Sequence, residues 1–211
     1  ILTAIPIADA NFKTYLVANF DTNGDGEIST AEAKQVTTIN VNTDNIYSLD
    51  GIEYFTSLTQ LTCNGTAEWD SNSNSFISKG SLTKIDLSKN TQLLVLDCED
   101  NQLTQLDLSN NTGLAYLYCD NNLFTELDLS NNSQLTNLNC AENQLTQLDL
   151  SNNTKLINLD CFANQLTQLD LSNSTQLTQL YCQSNQLTRL NLSNNTELST
   201  LTCDGNQLTE L

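Results

Sequence analysis

The 211-residue sequence has no histidine and no methionine, a single proline, a single tryptophan, and 7 Lys plus Arg against 25 Asp plus Glu. Without His, the usual general base of triads and dyads is missing, and so is the commonest transition-metal ligand. A net charge of −18 repels phosphate backbones and anionic lipid, which argues against nucleic acid and acidic membranes as partners. No apolar run reaches 18 residues, the length a membrane-spanning helix needs. Hydrophobic residues make up 38% of the chain, a share low enough to suggest disorder unless their spacing is regular. The seven cysteines are odd in number and too sparse for a disulfide scaffold. The chain starts at Ile1 without a signal peptide and stops at Leu211 in mid-repeat, so it reads as a segment of a longer protein.

What is present is a period. Cys98, Cys119, Cys140, Cys161, Cys182 and Cys203 stand 21 residues apart, and Cys63 precedes them by one period plus 14. Residues 133–153, SQLTNLNCAENQLTQLDLSNN, recur in register as 154–174, and this L-x-x-L-x-L-x-x-N-x-L form is that of leucine-rich repeats. Val41 takes the cysteine position in a degenerate coil starting near Val36, which makes about eight coils. Leu135, Leu138 and Cys140 predict a short strand with one buried face, and stacked copies predict a parallel sheet. Asn101, Asn122, Asn143, Asn164, Asn185 and Asn206 stand where the chain leaves the strand, placed to satisfy backbone groups of their own and the neighbouring coil. The LTQLDLS half of each coil predicts extended or 3-10 segments on the convex side. Stacked parallel strands hold neighbouring Cβ atoms too far apart for disulfides, so buried free thiols are expected.

Residues 21–32, DTNGDGEISTAE, match the EF-hand calcium loop at every specified position. Asp21, Asn23 and Asp25 would supply side-chain oxygens, Glu27 its carbonyl, Ser29 a bridging water and Glu32 a bidentate carboxylate to Ca2+. Phe12, Tyr15, Leu16 and Phe20 share one face of an entering helix that Asp9 caps, and a shorter exit helix starts near Thr30. A single hand abutting a solenoid reads as a cap over the open core, with calcium structural rather than signalling. The organisation is a helix-loop-helix cap over 1–36 and a repeat domain over 37–211, with an insertion at about 65–79 that carries Trp69 and Phe76.

The pattern LxxLxCxxNxLTxLDLSxN resembles the cysteine-ladder repeats of the internalin J type, and YSLDGIEYFTSLTQL (47–61) is similar to internalin sequence where the cap meets the first repeats. Internalins are bacterial surface proteins of adhesion and host interaction. The resemblance implies a leucine-rich-repeat solenoid that is secreted or held at the cell surface. Internalin caps are truncated EF-hands without a working site, whereas this cap has the full ligand set.

Solvent-facing strand positions form the concave face, where solenoids usually bind. Val95, Tyr116, Tyr118, Phe162 and Tyr181 fall there among Asp97, Glu99, Asp100, Asp120, Glu142 and Asp160, with Tyr116, Tyr118 and Tyr181 expected to cluster on neighbouring strands. Rings among carboxylates suit a basic protein, or a glycan stacked on the tyrosines. Asp86, Asp107, Asp128, Asp149 and Asp170 form a further ladder, read as a solvated structural face with casual cation binding as the weaker reading. DSNSN from Asp70 weakly imitates a calcium loop. No nucleophile beside a base can be assembled, so the expectation is a monomeric binding protein and not an enzyme.

Overall fold

A computed structural model describes residues 3–71 and 75–210, the side chains of Ser75 and Phe76 excepted. Eight three-residue strands stack into one parallel sheet: β1 (Thr38–Asn40), β2 (Gln60–Thr62), β5 (Val95–Asp97), β6 (Tyr116–Tyr118), β7 (Asn137–Asn139), β8 (Asn158–Asp160), β9 (Gln179–Tyr181) and β10 (Thr200–Thr202). Between β2 and β5 the chain makes a separate antiparallel hairpin, β3 (Ala67–Asp70) and β4 (Ser75–Ser78).

One coil explains the others. Leu96 is the inward residue of β5, and Cys98, Leu103, Leu106, Leu108 and Leu114 complete a ring of buried side chains that meets its copies above and below. Three residues suffice for each strand because neighbouring coils carry the same residue at the same height, so Leu96 pairs with Leu61 and with Leu117. The six cysteines Cys63 to Cys182 are buried free thiols, and Cys203 is half-buried at the far end. Burial pushes the thiols of Cys63, Cys98, Cys119, Cys140, Cys161 and Cys182 upward, so they behave as small hydrophobes.

The chain leaves each strand from β5 to β10 through a left-handed residue, at φ 56° in Asp100 and φ 51° in Ala163, with Gly205 in the last coil. The ladder asparagine follows. Asn143 Nδ2 donates to Cys119 O at 3.1 Å, Cys140 O at 3.2 Å and Ala141 O at 2.9 Å, and its Oδ1 accepts from Phe124 N at 3.0 Å. These are the carbonyls and amides that the turn takes out of the sheet. Among the described residues the convex side has no strand ladder, only an isolated parallel bridge between Arg189 and Glu210. It runs extended and closes through i→i−3 turns such as Asn111 N to Leu108 O, 3.0 Å; the one regular 3-10 turn among the described residues is Ile52–Tyr54.

At the amino-terminal end, α1 (Ala10–Phe20) buries Phe12 and Leu16 on the first coils. Asp9 caps it through Asn11 N and Phe12 N, and its other oxygen takes Tyr47 N at 2.8 Å, which ties helix to solenoid. Tyr15 Oη accepts Asn40 N at 3.1 Å on the open edge of β1. The exit helix α2 (Thr30–Ala33) is a single turn closed by a capping box between Ser29 and Glu32.

Candidate functional site

On the concave face the register sorts the side chains into rows. One row reads Asn40, Thr62, Asp97, Tyr118, Asn139, Asp160, Tyr181, Thr202; its companion puts Tyr116 between Val95 and Asn137. Tyr116 and Tyr118 therefore share β6, but Tyr181 stands on β9, with β7 and β8 between. The expected cluster of three tyrosines is not formed: at about 4.8 Å per strand the separation is about 14 Å. Tyr116 is the most open ring of the sheet, 41% exposed, while Tyr118, Phe162 and Tyr181 are half-buried.

The carboxylates do come together. Glu99 and Asp120 occupy the same position of successive coils, 21 residues apart, and both are half-buried. Asn139 Nδ2 donates to Asp120 Oδ1 at 2.7 Å, and Asn121 Nδ2 donates to Asp100. Asp97 Oδ1 is shielded from solvent without a hydrogen-bond partner. No Lys or Arg occurs in the eight strands or the turns that follow them. Burial accordingly raises Asp97, Glu99, Asp100, Glu142 and Asp160; burial and the Glu99 contact raise Asp120 to about 8. Asn139 and Asn64, which accepts Glu99 N at 3.1 Å, complete this patch and carried no sequence signal beyond their place in the repeat.

In the 21–32 loop, Asp21 accepts the amides of Gly24 at 2.7 Å and Gly26 at 2.8 Å, with both glycines at positive φ. Asn23 and Asp25 accept Asp25 N and Glu27 N, and the Glu27 side chain pairs with Lys13 at 2.7 Å. Glu32 is buried. Its Oε1 accepts from Thr22 N, Thr22 Oγ1 and Asn23 N, and its Oε2 from Ser29 N and Ser29 Oγ. Those donors, Ser29 foremost, lower its pKa to about 2. The donor set is all oxygen, the kind a hard cation takes. In this pose, however, Glu32 faces protein donors, and no group of three or more metal-holding Asp, Glu or Cys side chains is gathered among the described residues.

The convex aspartates have a local task. Asp107 Oδ1 accepts Ser109 N at 2.9 Å, and Asp86, Asp128, Asp149 and Asp170 do the same with the serine two residues on, which holds each carboxyl below its ordinary value. Asn191 makes the same turn through its own oxygen at 3.0 Å, so the break in the ladder costs nothing structurally.

The insertion lies between Gly65 and Gly80, whose amides reach Glu99 O and Asp100 O, each at 3.1 Å. A Cβ on Gly65 would lie 2.0 Å from Asp100 O, and one on Gly80 2.2 Å from the same atom. The hairpin is thus rooted beside the acidic patch, with Trp69 50% exposed and Ile77 48% exposed. The Phe76 ring and most of the DSNSN segment lie outside the described residues.

No helix among the described residues is long and apolar enough to cross a membrane. The sequence matches no protein-family model and no curated protein. Solved structures do match. The functional domain of InlJ from Listeria monocytogenes, which includes a cysteine ladder, is 34% identical with a TM-score of 0.76, over 100% of this chain and 50% of that one. This chain therefore spans half the length of that domain. Internalin C2 of the same organism aligns over 92% of both chains, 19% identical with a TM-score of 0.64, and a leucine-rich-repeat protein of Leptospira interrogans over 84% of this chain and 57% of that one, 21% identical with a TM-score of 0.54. With its buried cysteines every 21 residues and eight parallel coils, this chain is a leucine-rich-repeat solenoid whose structural neighbours are internalin J and other Listeria internalins.

Proposed function

We propose that this chain is an internalin-like bacterial binding protein, secreted or held at the cell surface, that takes a protein partner on its concave face. The observation that carries the reading is the open Tyr116 ring on a face with six half-buried or exposed carboxylates and no Lys or Arg in its strands and turns. A ring in such surroundings anchors a partner through burial, and the uncompensated carboxylates select one with cationic groups. The likeness to InlJ supports the solenoid as a binding scaffold; adhesion to a host protein is the specific form proposed. Array screening against host proteins and host glycans tests it, followed by Tyr116→Ala and Asp160→Asn on whatever binds. Loss of affinity with unchanged melting temperature is expected; glycans alone responding would favour stacking on the tyrosines instead.

The cap is proposed to hold Ca2+ through Asp21, Asn23, Asp25, Glu32, the Glu27 carbonyl and a water on Ser29. Supporting this are the complete loop motif, the two positive-φ glycines and the all-oxygen donor set. Binding would require the Glu32 carboxylate to turn from Ser29 and Thr22 toward the ion. Calorimetric titration of the chelator-stripped protein with calcium tests it. Heat of binding in wild type and none in Asp21→Ala is expected, and no heat in wild type would end the proposal.

A further inference from the structure

Glycine follows asparagine at two places in the chain, Asn23–Gly24 and Asn64–Gly65. A following glycine has no Cβ to keep its backbone nitrogen from the asparagine side-chain carbon, so this is the pair at which asparagine most readily cyclises on its own chain. The fold treats the two pairs differently. Asn23 stands exposed in the 21–32 loop, where its Oδ1 accepts Asp25 N at 2.8 Å, which folds the side chain back over the peptide of Gly24. Gly24 N, the atom that would attack, donates to Asp21 Oδ1 at 2.7 Å. Gly24 holds φ 74° with open space where a Cβ would stand, so the backbone has room to turn. A nucleophile, a carboxylate beside its proton and an N–H on the carbonyl oxygen are thus gathered round one side-chain amide. At Asn64 none of this is arranged. Its Oδ1 reaches to the next coil and accepts Glu99 N at 3.1 Å, and Gly65 N donates to Glu99 O at 3.1 Å, a carbonyl and not a base. Gly65 is also boxed in by Asp100 O and the backbone of Gly80.

We propose that Asn23 is a self-modification site, deamidated by the groups of its own loop while Asn64 is spared. Gly24 N attacks Asn23 Cγ, and Asp21 takes the proton that the nitrogen gives up as the new N–Cγ bond forms. Asp25 N–H steadies the charge that develops on Oδ1. The Cγ–Nδ2 bond then breaks, and the amide leaves as ammonia with the proton that Asp21 returns, which closes a five-membered imide. Water opens the imide at either carbonyl, giving aspartate at position 23 or its isomer with the main chain routed through the side-chain carbon. The aspartate product adds a carboxylate to a loop that already holds Asp21, Asp25 and Glu32, at a place where the calcium-loop motif takes Asp or Asn alike. The inference does not rest on calcium binding, since every reacting group belongs to the chain or is water.

Incubation of the whole chain with chelator at mildly alkaline pH, followed by tryptic digestion and mass spectrometry, tests the proposal. The peptide between the cuts after Lys13 and Lys34 should gain the mass of an amide-to-acid exchange, placed at Asn23 by fragmentation, while the peptide ending at Lys79 keeps Asn64 intact. In the chain unfolded by urea the two asparagines should react alike, and Asn23 more slowly than in the native chain. Asp21→Asn keeps an oxygen acceptor and removes the base, so Asn23 should then react at least about tenfold more slowly. An unchanged rate in that variant would overturn the role of Asp21. The comparison of native with unfolded wild type needs no variant and decides the proposal even if Asp21→Asn does not fold. Asn64 reacting as fast as Asn23 in the native chain, or Asn23 reacting more slowly there than in the unfolded one, would overturn it.

Discussion

The hydroxyl of Thr43, in the first coil, donates to Oδ1 of Asn101, in the third, at 2.7 Å. It crosses the second coil because Gly80 occupies the ladder position there and has no side chain to fill it. Asn101 also makes toward the second coil the contacts that Asn122 and Asn143 make toward the coils before them, donating to Cys63 O at 2.8 Å and accepting from Leu82 N at 3.3 Å. Thr43→Val keeps the shape and removes the donor, leaving Asn101 Oδ1 with one long hydrogen bond. Urea denaturation should show a loss of about 1–2 kcal/mol. An unchanged midpoint would mean that the bond is not formed in solution.

Gly80→Ala should be more damaging than its small size suggests. The added Cβ would stand 2.2 Å from Asp100 O and 2.4 Å from Asn101 Oδ1, one of them backbone, so the hairpin root or the third coil must shift. A loss of about 1–3 kcal/mol is expected. Removing residues 66–79 and rejoining Gly65 to Gly80 should leave the fold intact, since the coil then has the length of its neighbours; collapse of the folded state would show that the hairpin is part of the core.

Ala163 holds φ 51° at a position where the last coil has Gly205. A left-handed alanine is strained by about 1–2 kcal/mol, and glycine loses part of that gain to the entropy of its unfolded chain. Ala163→Gly should therefore raise the thermal midpoint, by an amount worth about 0.5–1 kcal/mol. A lowered midpoint would mean that the methyl group packs against something that outweighs the strain.

Glu32 supplies a dependence on acid. Its pKa falls from 4.5 to about 2 on folding, a depressed carboxylate, so its stabilisation is complete above pH 4.5 and disappears as pH falls toward 2. Glu32→Gln should lose about 1–3 kcal/mol at neutral pH, even with chelator present, because the carboxylate is held by Ser29, Thr22 and Asn23. Hydrogen exchange over residues 3–60 locates the effect in the cap. If the variant unfolds like wild type with chelator and differs only with calcium, the carboxylate serves the ion and not the loop.

Thiol reagents should find Cys203 first. It is half-buried in the last described coil, while the other six are buried with raised pKa values. Native protein should give one accessible thiol and denatured protein seven. Disulfides among the six inner cysteines would contradict the stacking geometry.

Much of this molecule was legible before any coordinates, because a repeat converts sequence distance into spatial distance. Residues 21 apart are neighbours on adjacent coils, so the leucine core, the thiol ladder and the asparagine ladder could be read by counting. The same counting would have separated Tyr118 from Tyr181, since 63 residues are three coils, and the expectation that they cluster failed for want of that step. The Asp9 cap and the buried faces of Phe12 and Leu16 were likewise carried by local spacing.

The sequence by itself determined the solenoid, its period, its sheet and the place of its cap, because each coil packs on a near copy of itself and local pattern is then enough. Only the tertiary structure decided what happens where the copies differ. The docking of the hairpin between Gly65 and Gly80 depends on Asp100 O, a backbone atom one coil away. The closed pose of Glu32 depends on which donors its two oxygens find once α1 and α2 are packed. The raised carboxyls of Glu99 and Asp120 depend on how far their ledge of the concave face is withdrawn from water. Those are matters of desolvation and approach in three dimensions, and a linear pattern has no symbol for them.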